Sequence, residues 1–254
     1  MLKNSRHEEI IRILEEQNYA SVEKLAKLTF SSLPTIRRDL QYLSEVGYIT
    51  RKHGGASLPE YRTSSAPFSK RYPDAQLQKK LICKELAKCI RDDMLIFLDA
   101  SSTLTFFVPY LKKFKGLRIV TNSLPICNHL TNYSIPHYST GGLLSNRDSY
   151  GGCYAERFVR SFRADLCFFS STAITSDGIM FDADETATAI CCAMQEHAKR
   201  RIYVCDESKT TKEGAYYRAD THTVDKIYTT ANKEFFTCDL DKFVFIDWKS
   251  QIKQ

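Results

Sequence analysis

The sequence is poor in glycine and proline, and it has no long uninterrupted hydrophobic run. Its 254 residues include 10 glycines and 7 prolines, too few for a fibrous or low-complexity chain. The longest apolar stretch, 94–111, contains Asp99 and several other polar positions, so we expect no membrane span. Charged residues stand near the N-terminus, where a signal peptide needs an apolar segment. These absences favour a globular, cytoplasmic protein with no membrane partner.

The nine cysteines form no C-x-x-C pair and have no histidine at metal-ligand spacing. They are odd in number and scattered, which suits the reducing cytosol. Several lie in apolar runs such as 166–169, where a free thiol acts as a small hydrophobic residue. We therefore expect no metal site and no cofactor, and we assign the cysteines no function.

The chain length allows one large domain or two modest ones, at ~100–200 residues each. The net charge of +6 is spread unevenly, because residues 61–90 contain seven Lys/Arg and two Asp/Glu. Residues 1–60 contain nine against eight, and residues 91–254 contain twenty against twenty. The basic segment fits either a polyanionic partner or an ordinary solvated linker.

Three short apolar periodicities predict three helices in the first sixty residues. The first helix follows a capping pattern at Ser5 and covers 6–17, and the second begins after Ser21. The third begins at Ser32, with Pro34 in its first turn. Its buried face is marked at positions i, i+4 and i+7 by Ile36, Leu40 and Leu43.

The outer face of the third helix is cationic, and a basic hairpin follows it. Arg37 and Arg38 lie near the start of this helix, the end that a helix-turn-helix protein inserts into the major groove. The segment 48–56 alternates briefly and turns on Gly54-Gly55, which predicts a small β-hairpin. A three-helix bundle with merely solvated arginines is the alternative, but it predicts none of these coincidences. The pattern favours a winged helix-turn-helix.

Two sequence blocks resemble the signature of the DeoR family of bacterial transcriptional regulators. They are TIRRDL at 35–40 and RKHGGA at 51–56. The resemblance implies that the third helix reads bases of double-stranded operator DNA and that the hairpin contacts the DNA backbone. Asp39 is interpreted as structural, holding a neighbouring arginine or favouring the helix. The candidate DNA-binding residues are Ser32, Thr35, Arg37, Arg38, Gln41, Arg51, Lys52 and His53.

From residue 76 onward, short apolar runs alternate with helical periodicities, the pattern of an α/β domain with a mostly parallel sheet. A helix over 76–90 should bury Leu77 and expose Lys79. In such sheets, ligands bind beyond the carboxyl ends of the strands. Strands are expected at 94–98, 118–121, 135–139, 166–170, 201–205, 226–229 and 243–246, and helices at 102–111, 125–130, 154–162 and 186–197.

Four clusters of hydroxyl, glycine and charged residues directly follow predicted strands. Each cluster alone is ordinary turn chemistry, but four in series suit a phosphorylated polyol, because helix N-termini bind phosphate and carboxylates bind hydroxyls. The DeoR-family sensor domain is similar to ribose-phosphate isomerase, and the resemblance implies that its ligand-binding turns match these clusters in order. The candidate effector-binding residues are Asp99, Ser101, Ser102, Thr103, Thr121, Asn122, Gly141, Gly142, Asp206, Ser208 and Lys209.

Ser101 departs from the family pattern, which has glycine at this position. A side chain here can narrow the phosphate loop or change its backbone angles, so the turn is either retuned or has lost its ligand. The acidic stretch 176–185 has three open interpretations: binding of sugar hydroxyls, a divalent-cation site, or an exposed loop. The loop is favoured, because Asp184 and Glu185 suit the N-terminus of the next helix.

These observations divide the chain into a DNA-binding domain over 1–57, a linker over 58–75 and a sensor domain over 76–254. We expect a repressor of carbohydrate-metabolism genes controlled by a small phosphorylated sugar. The alternative is a sugar-phosphate isomerase-like enzyme with an appended DNA-binding module. Because two-fold operators require two recognition helices, we expect a homodimer or a dimer of dimers through the large domain.

Overall fold

A computed structural model describes residues 3–17, 19–45, 49–57, 71, 75–145 and 148–252. Backbone contacts divide the chain into two compact units, residues 1–62 and residues 63–254. We call them the N-terminal unit and the C-terminal unit. The expected linker over 58–75 lies outside the described residues, except for Arg71 and Ala75.

The N-terminal unit contains three helices and a small antiparallel sheet in which β3 lies between β1 and β2. The predicted helices and hairpin are confirmed, whereas β1 was not predicted, because three residues are too few to show alternation. The first helix begins earlier than expected, so Ser5 lies within it instead of capping it. The elements are α1 (Lys3–Gln17), β1 (Tyr19–Ser21), α2 (Val22–Leu28), α3 (Leu33–Glu45), β2 (Thr50–Lys52) and β3 (Gly55–Ser57).

A single apolar core holds these three helices together. Its central side chains are fully buried, and each contributes roughly 1.5–3 kcal/mol by burial. The N–H of Lys24 donates to Ser21 Oγ at 3.2 Å, so Ser21 caps α2 as predicted. The fully buried side chains include Ile10, Leu14, Leu25, Ile36 and Leu40.

The turn after α2 places a phenylalanine in the left-handed region of backbone conformation. The N–H of Ser31 donates to the carbonyl of Ala26 at 2.9 Å, and the N–H of Phe30 donates to the carbonyl of Lys27 at 3.4 Å. These two bonds form a Schellman motif, in which the residue after the cap is usually glycine. Phe30 has a φ of 50°, a conformation that costs a residue with a side chain roughly 1–2 kcal/mol.

The C-terminal unit combines a parallel sheet with helices and two smaller antiparallel sheets. Its strands are β4 (Leu95–Leu98), β5 (Arg118–Thr121), β6 (His137–Ser139), β7 (Leu143–Ser145), β8 (Ser149–Gly151), β9 (Ala164–Phe169), β10 (Ala173–Ile174), β11 (Met180–Asp182), β12 (Ala198–Cys205), β13 (Tyr216–Ala219), β14 (Lys226–Thr229) and β15 (Phe243–Phe245). Its helices are α4 (Gln76–Leu86), α5 (Ser102–Thr105), α6 (Val108–Leu111), α7 (Leu124–Asn132), α8 (Cys153–Arg160) and α9 (Glu185–Glu196). 3-10 turns lie at Ala87–Cys89, Glu207–Thr211, Lys233–Phe235 and Lys249–Ile252.

The large sheet has seven strands in the order β15-β14-β12-β9-β4-β5-β6, and all neighbours are parallel. Successive side chains of a strand point to opposite faces. In β4, Ile96 and Leu98 therefore join the core on one face, and Leu95 and Phe97 join the core on the other. Burial on both faces explains why the strands read as apolar runs. The predicted mostly parallel sheet is confirmed.

Several short elements differ from the prediction. The hairpin β7–β8 and the sheet β10-β11-β13 were not predicted, because their strands have only two to four residues. The single helix expected over 102–111 is divided into α5 and α6. The helix expected over 76–90 ends as an α-helix at Leu86 and continues as a 3-10 turn.

The predicted orientation of α4 was wrong at two positions. Lys79 is 2% exposed, and its Nζ donates to the backbone carbonyl of Arg71. Leu77 is 42% exposed. A carbonyl that binds the ammonium group offsets part of the cost of burying it, and such a contact has no local sequence signature.

All nine cysteines are free thiols. Burial raises the pKa of Cys83, Cys167 and Cys191, which keeps these thiols protonated and unreactive near neutral pH. Among the residues that the structure describes, no helix has the length and apolar character needed to cross a bilayer. In the same residues, no cluster of His, Cys, Asp and Glu has the arrangement of a metal site.

Candidate functional site

The start of α3 presents hydroxyl and guanidinium groups. Ser32 precedes the helix and accepts a hydrogen bond from the N–H of Thr35 at 3.4 Å, and the two hydroxyls lie 2.8 Å apart. Arg37 and Arg38 are exposed, while Ile36 between them and Thr35 is fully buried. The first turns of α3 therefore direct cations away from the core, as the apolar spacing predicts.

The hairpin is tied to α3 by a side-chain hydrogen bond. Arg51 Nη1 donates to Gln41 Oε1 at 2.7 Å, which orients the amide of Gln41. Lys52 and His53 are exposed at the end of the hairpin. The structure thus groups the candidate DNA-binding residues on α3, just before it, and on the hairpin.

Two separate physical constraints require glycine at the two positions of the hairpin turn. Gly54 has a φ of 74°, a conformation that favours glycine. A Cβ atom on Gly55 would lie 2.3 Å from the carbonyl oxygen of Ala20 in β1. The hydroxyl of Tyr19 also donates to the carbonyl of His53 at 3.2 Å. Turn geometry and close approach to β1 therefore both require glycine in this pair.

Asp39 points inward from α3 and binds α1. Arg6 donates to the Asp39 carboxylate through Nε at 2.5 Å and through Nη2 at 3.2 Å, and His7 Nε2 lies 3.0 Å from it. Burial would raise the pKa of Asp39, but hydrogen bonds from Arg6 and His7 lower it by more. The structural role expected for Asp39 is correct, although its arginine partner belongs to α1 and is not a neighbour on α3.

A cavity of about 320 Å³ lies at the carboxyl ends of β4, β9 and β12 in the C-terminal unit. This is the position at which ligands bind in parallel α/β sheets. Its wall mixes cations, carboxylates and hydroxyls, which suits a small polar ligand. The lining residues are Arg71, Asp99, Ala100, Ser101, Ser102, Asp148, Ser149, Ser170, Ser171, Thr172, Asp182, Asp184, Ala187, Lys209, Lys212, Glu213 and Arg218.

Four of the eleven candidate effector-binding residues line this cavity, namely Asp99, Ser101, Ser102 and Lys209. The other seven, Thr103, Thr121, Asn122, Gly141, Gly142, Asp206 and Ser208, are not part of its lining. Several of those make local contacts that shape turns.

The residues outside the lining organise three loops. Thr121 Oγ1 accepts a hydrogen bond from the N–H of Ser123, and Asn122 Nδ2 donates to the carbonyl of Tyr150 at 3.2 Å. Gly141 and Gly142 both have positive φ. The carboxylate of Asp206 accepts the N–H of Ser208 at 3.1 Å and begins the 3-10 turn that presents Lys209. These contacts are the cap and turn chemistry that such residue types also supply without a ligand.

Ser101 shows that the turn after β4 does not need glycine. Its φ is −98°, in the extended region open to any residue. Its Oγ accepts a hydrogen bond from the N–H of Thr103 at 3.2 Å and so caps α5. The backbone is therefore unstrained here, and the serine hydroxyl occupies an N–H that would otherwise be open to an anion.

A buried arginine connects three elements in the cavity wall. Arg218 Nη1 donates to Asp99 Oδ2 at 3.1 Å and to the carbonyl of Ser170 at 2.6 Å, and it lies 3.2 Å from Asp182 Oδ2. Arg218 is 5% exposed. Burial raises the pKa of Asp99, although the cation of Arg218 acts in the opposite direction. The network fixes β4, β11 and β13 around the cavity.

A second group of charges is cationic and centres on Lys209. Burial lowers the pKa of Lys209 to about 8, Asp206 opposes this shift, and the cations Lys212, Arg71 and Lys79 add to it. Cations that lie close enough to lower the pKa of Lys209 form a favourable site for an anion, because an anion relieves the repulsion between them and Lys209. Arg71 also pairs with Asp148 at 2.9 Å. The arrangement of cations suits an anionic ligand.

Sequence reasoning missed several lining residues, for two different reasons. Ser170 is the last residue of the predicted strand 166–170, and Ser171 and Thr172 follow it directly, so a run of hydroxyls at the end of a strand is a signal present in the sequence. Arg218 lies in a short strand with no local motif, and its partner Asp99 is 119 positions away. Only the fold brings that pair together.

Family models match most of the chain in two segments. The model described as the DeoR-like helix-turn-helix domain matches residues 6–62, and the model described as the DeoR C terminal sensor domain matches residues 74–231. The chain belongs to the DeoR family. This DeoR-family protein is a DNA-binding transcriptional regulator with a C-terminal sensor domain, as the two sequence blocks predict.

Curated relatives of this regulator are similar over nearly the whole chain. The HTH-type transcriptional repressor CsqR of Escherichia coli strain K12 is 32% identical over 230 residues, which cover 89% of this chain and 87% of that protein. The glycerol-3-phosphate regulon repressor of Haemophilus influenzae is 32% identical over 230 residues, or 90% of each. Both names support the expectation of a DeoR-type repressor. Ribose 5-phosphate isomerase A from Methanocaldococcus jannaschii aligns with a TM-score of 0.40 and 17% identity, over 53% of this chain and 54% of that chain.

Proposed function

We propose that this regulator represses transcription from an operator and leaves it when a small phosphorylated sugar binds the cavity. The observation that supports a ligand most directly is a pair of buried polar atoms. Within the described residues, Arg218 Nε and Ser170 Oγ are buried without a hydrogen-bond partner, and both residues line the cavity. A buried polar group without a partner costs ~1–3 kcal/mol, which oxygen atoms of a ligand would recover.

The cationic group around Lys209 would bind the phosphate. Lys209, Lys212 and Arg71 line the cavity together. The two lysines are long, flexible donors to phosphate oxygens, and the arginine is a forked donor. Ser102, the first residue of α5, also lines the cavity. A phosphate at this position would replace the mutual repulsion of the cations with attraction.

The carboxylates and hydroxyls would bind the sugar. Asp184 lines the cavity and is only partly buried, and Ser171 and Thr172 follow β9. Carboxylates accept hydrogen bonds from sugar hydroxyls, and serine or threonine hydroxyls both donate and accept. The glycerol-3-phosphate regulon repressor among the relatives supports an effector of this chemical class.

In the N-terminal unit, we assign base contacts to Thr35, Arg37, Arg38 and Gln41, and backbone contacts to Ser32, Arg51, Lys52 and His53. An arginine paired with a guanine discriminates between bases by ~1–3 kcal/mol. We assign DNA binding to residues 1–57, effector sensing to residues 76–254, and the connection to residues 58–75. The protein would act in the bacterial cytoplasm, where the operator is.

Repression by this route requires two coupled equilibria. The effector must have different affinities for the arrangement that binds DNA and the one that does not. A two-fold operator also requires two copies of α3 about one helical turn apart. We therefore propose a homodimer or a dimer of dimers, assembled through the C-terminal unit.

We further propose that the protein is not an enzyme. The matched family and the named relatives support regulation. The buried carboxylate of Asp99, which an isomerase would need free to move a proton, is engaged by Arg218 in the cavity wall. An isomerase assay with ribose 5-phosphate tests the alternative. Turnover that disappears in a Lys209→Met variant would revive it.

A mobility-shift assay with DNA from upstream of the protein's own gene tests the regulatory function. It is run at low salt and at 150 mM salt, with glycerol 3-phosphate, ribose 5-phosphate and fructose 6-phosphate, and with the unphosphorylated compounds as matched controls. Specific binding that one phosphorylated compound relieves would support the proposal and identify the ligand. Absence of specific binding at low salt would contradict it.

A further inference from the structure

Phe30 is exposed far beyond what packing explains. Its side chain is 97% exposed, in a unit where other large apolar side chains such as Ile10 and Leu25 are fully buried. A single exposed aromatic ring is unremarkable on its own. Phe30, however, lies in the turn between α2 and α3, next to the helix that carries the candidate base-contacting residues.

The backbone at Phe30 gives a second and independent observation. With a φ of 50°, Phe30 occupies the left-handed position of the Schellman motif that ends α2. Glycine adopts this conformation without strain. Neither packing nor backbone geometry therefore favours phenylalanine here, and such local conflicts are expected at functional positions.

The surroundings of Phe30 favour DNA over a protein partner. The turn leads directly into the end of α3 that helix-turn-helix proteins insert into the major groove. On α2, Lys24 and Lys27 are exposed, and the carbonyl of Lys27 accepts the N–H of Phe30. Leu33 at the start of α3 is 38% exposed. An exposed apolar side chain together with exposed lysines suits a partner that is negatively charged and also presents apolar groups, as DNA does.

The only apolar group that base edges present in the major groove is the C5-methyl group of thymine. We propose that Phe30 contacts a thymine methyl group of the operator and so contributes to sequence specificity. This inference rests on DNA binding by the N-terminal unit. It adds an apolar contact to the polar residues assigned above.

The experiment removes the methyl group and the ring separately. The operator is first selected from a pool of random duplexes with the full-length wild-type protein. Each thymine is then replaced by deoxyuridine, and the affinities of wild type and Phe30→Gly are measured for every duplex. Loss of one buried methyl group should weaken wild-type binding about four-fold at the contacted position, which is ~0.8 kcal/mol. Phe30→Gly should bind the thymine and uracil duplexes equally at that position.

Thermal unfolding shows whether each variant still folds, so that a change in DNA affinity is not mistaken for a loss of structure. Phe30→Gly relieves the left-handed backbone strain, so its unfolding temperature should not fall below that of the wild type. Phe30→Leu should retain part of the dependence on the methyl group. Tyr154→Ser is the matched control, because it removes an aromatic ring that is 73% exposed in the C-terminal unit. It should change neither the unfolding temperature nor the dependence of DNA affinity on the thymine methyl group.

Several results would overturn the inference. If the wild type binds DNA but no thymine position shows a methyl dependence that Phe30→Gly removes, the methyl contact is refuted. DNA binding by the N-terminal unit is then unaffected. If Phe30→Gly loses the same factor of affinity for every duplex, the result would indicate that Phe30 contacts the sugar-phosphate backbone instead. Impaired repression with unchanged DNA affinity would indicate a protein partner. If the wild type selects no duplex, the proposed function itself fails, and the inference fails with it.

Discussion

The cationic group in the cavity makes the affinity for a phosphorylated effector depend on pH. Lys209 has a pKa of about 8 before the ligand binds, with burial as the largest cause. It is then about 90% charged at pH 7 and about 10% charged at pH 9. A phosphate monoester has its second pKa near 6, so the ligand stays a dianion over this interval. If binding requires the charged lysine, Kd should rise about ten-fold from pH 7 to pH 9, or ~1.4 kcal/mol.

Isothermal calorimetry with glycerol 3-phosphate, from pH 6.5 to pH 9.5 at constant ionic strength, measures this dependence. The sign follows from the lowered pKa, because raising the pH through 8 removes the cation and weakens binding. Lys209→Arg should flatten the profile, since guanidinium stays charged throughout, whereas Lys209→Met should flatten it at lower affinity. A wild-type profile that is flat, or one that persists in Lys209→Arg, would refute the assignment of the phosphate to Lys209.

Three further outcomes test other parts of the molecule. Arg37→Ala and Arg38→Ala should weaken operator binding, and the loss of a phosphate contact should lower the slope of log affinity against log salt by about one unit; unchanged affinity in both variants would contradict the role of α3. Ser101→Gly frees a backbone N–H at the start of α5 and costs only a few tenths of a kcal/mol in capping. Calorimetry should therefore show tighter binding of a sugar phosphate to this variant. Weaker binding would mean that the Ser101 hydroxyl itself contacts the ligand. Arg218→Met leaves two buried carboxylates without their cation, and urea unfolding should show a loss of roughly 3–5 kcal/mol. Stability equal to that of the wild type would show that the folded protein does not need the cation of Arg218 to hold Asp99 and Asp182 in the cavity wall.

The sequence predicted the layered fold because the strands are buried on both faces. Arg118–Thr121 and Lys226–Thr229 have the bounds expected from their apolar runs. Strands of two to four residues outside the main sheet have no comparable pattern, so the β10-β11-β13 sheet was missed. Since β13 contains Arg218, missing this small sheet also meant missing the centre of the cavity wall.

The predictions for the two candidate sites differ in kind. The candidate DNA-binding residues lie on consecutive turns of one helix and on one hairpin, so local spacing was enough to group Arg37, Arg38 and Arg51. The cavity depends on contacts across the fold, such as the hydrogen bond between Arg218 and Asp99, which are 119 positions apart. Residues that follow strands could be identified from the sequence. The subset of them that faces a common space could not.

Arg71 connects the lining of the cavity with α4. Its guanidinium donates to Asp148 and to the carbonyl of Ala100, and its own carbonyl accepts Lys79. An anion that competes with Asp148 for this guanidinium would weaken the ion pair of 2.9 Å between the two side chains. If the proposed effector binds here, its occupancy and this ion pair are linked, and each must shift the other by the same free energy.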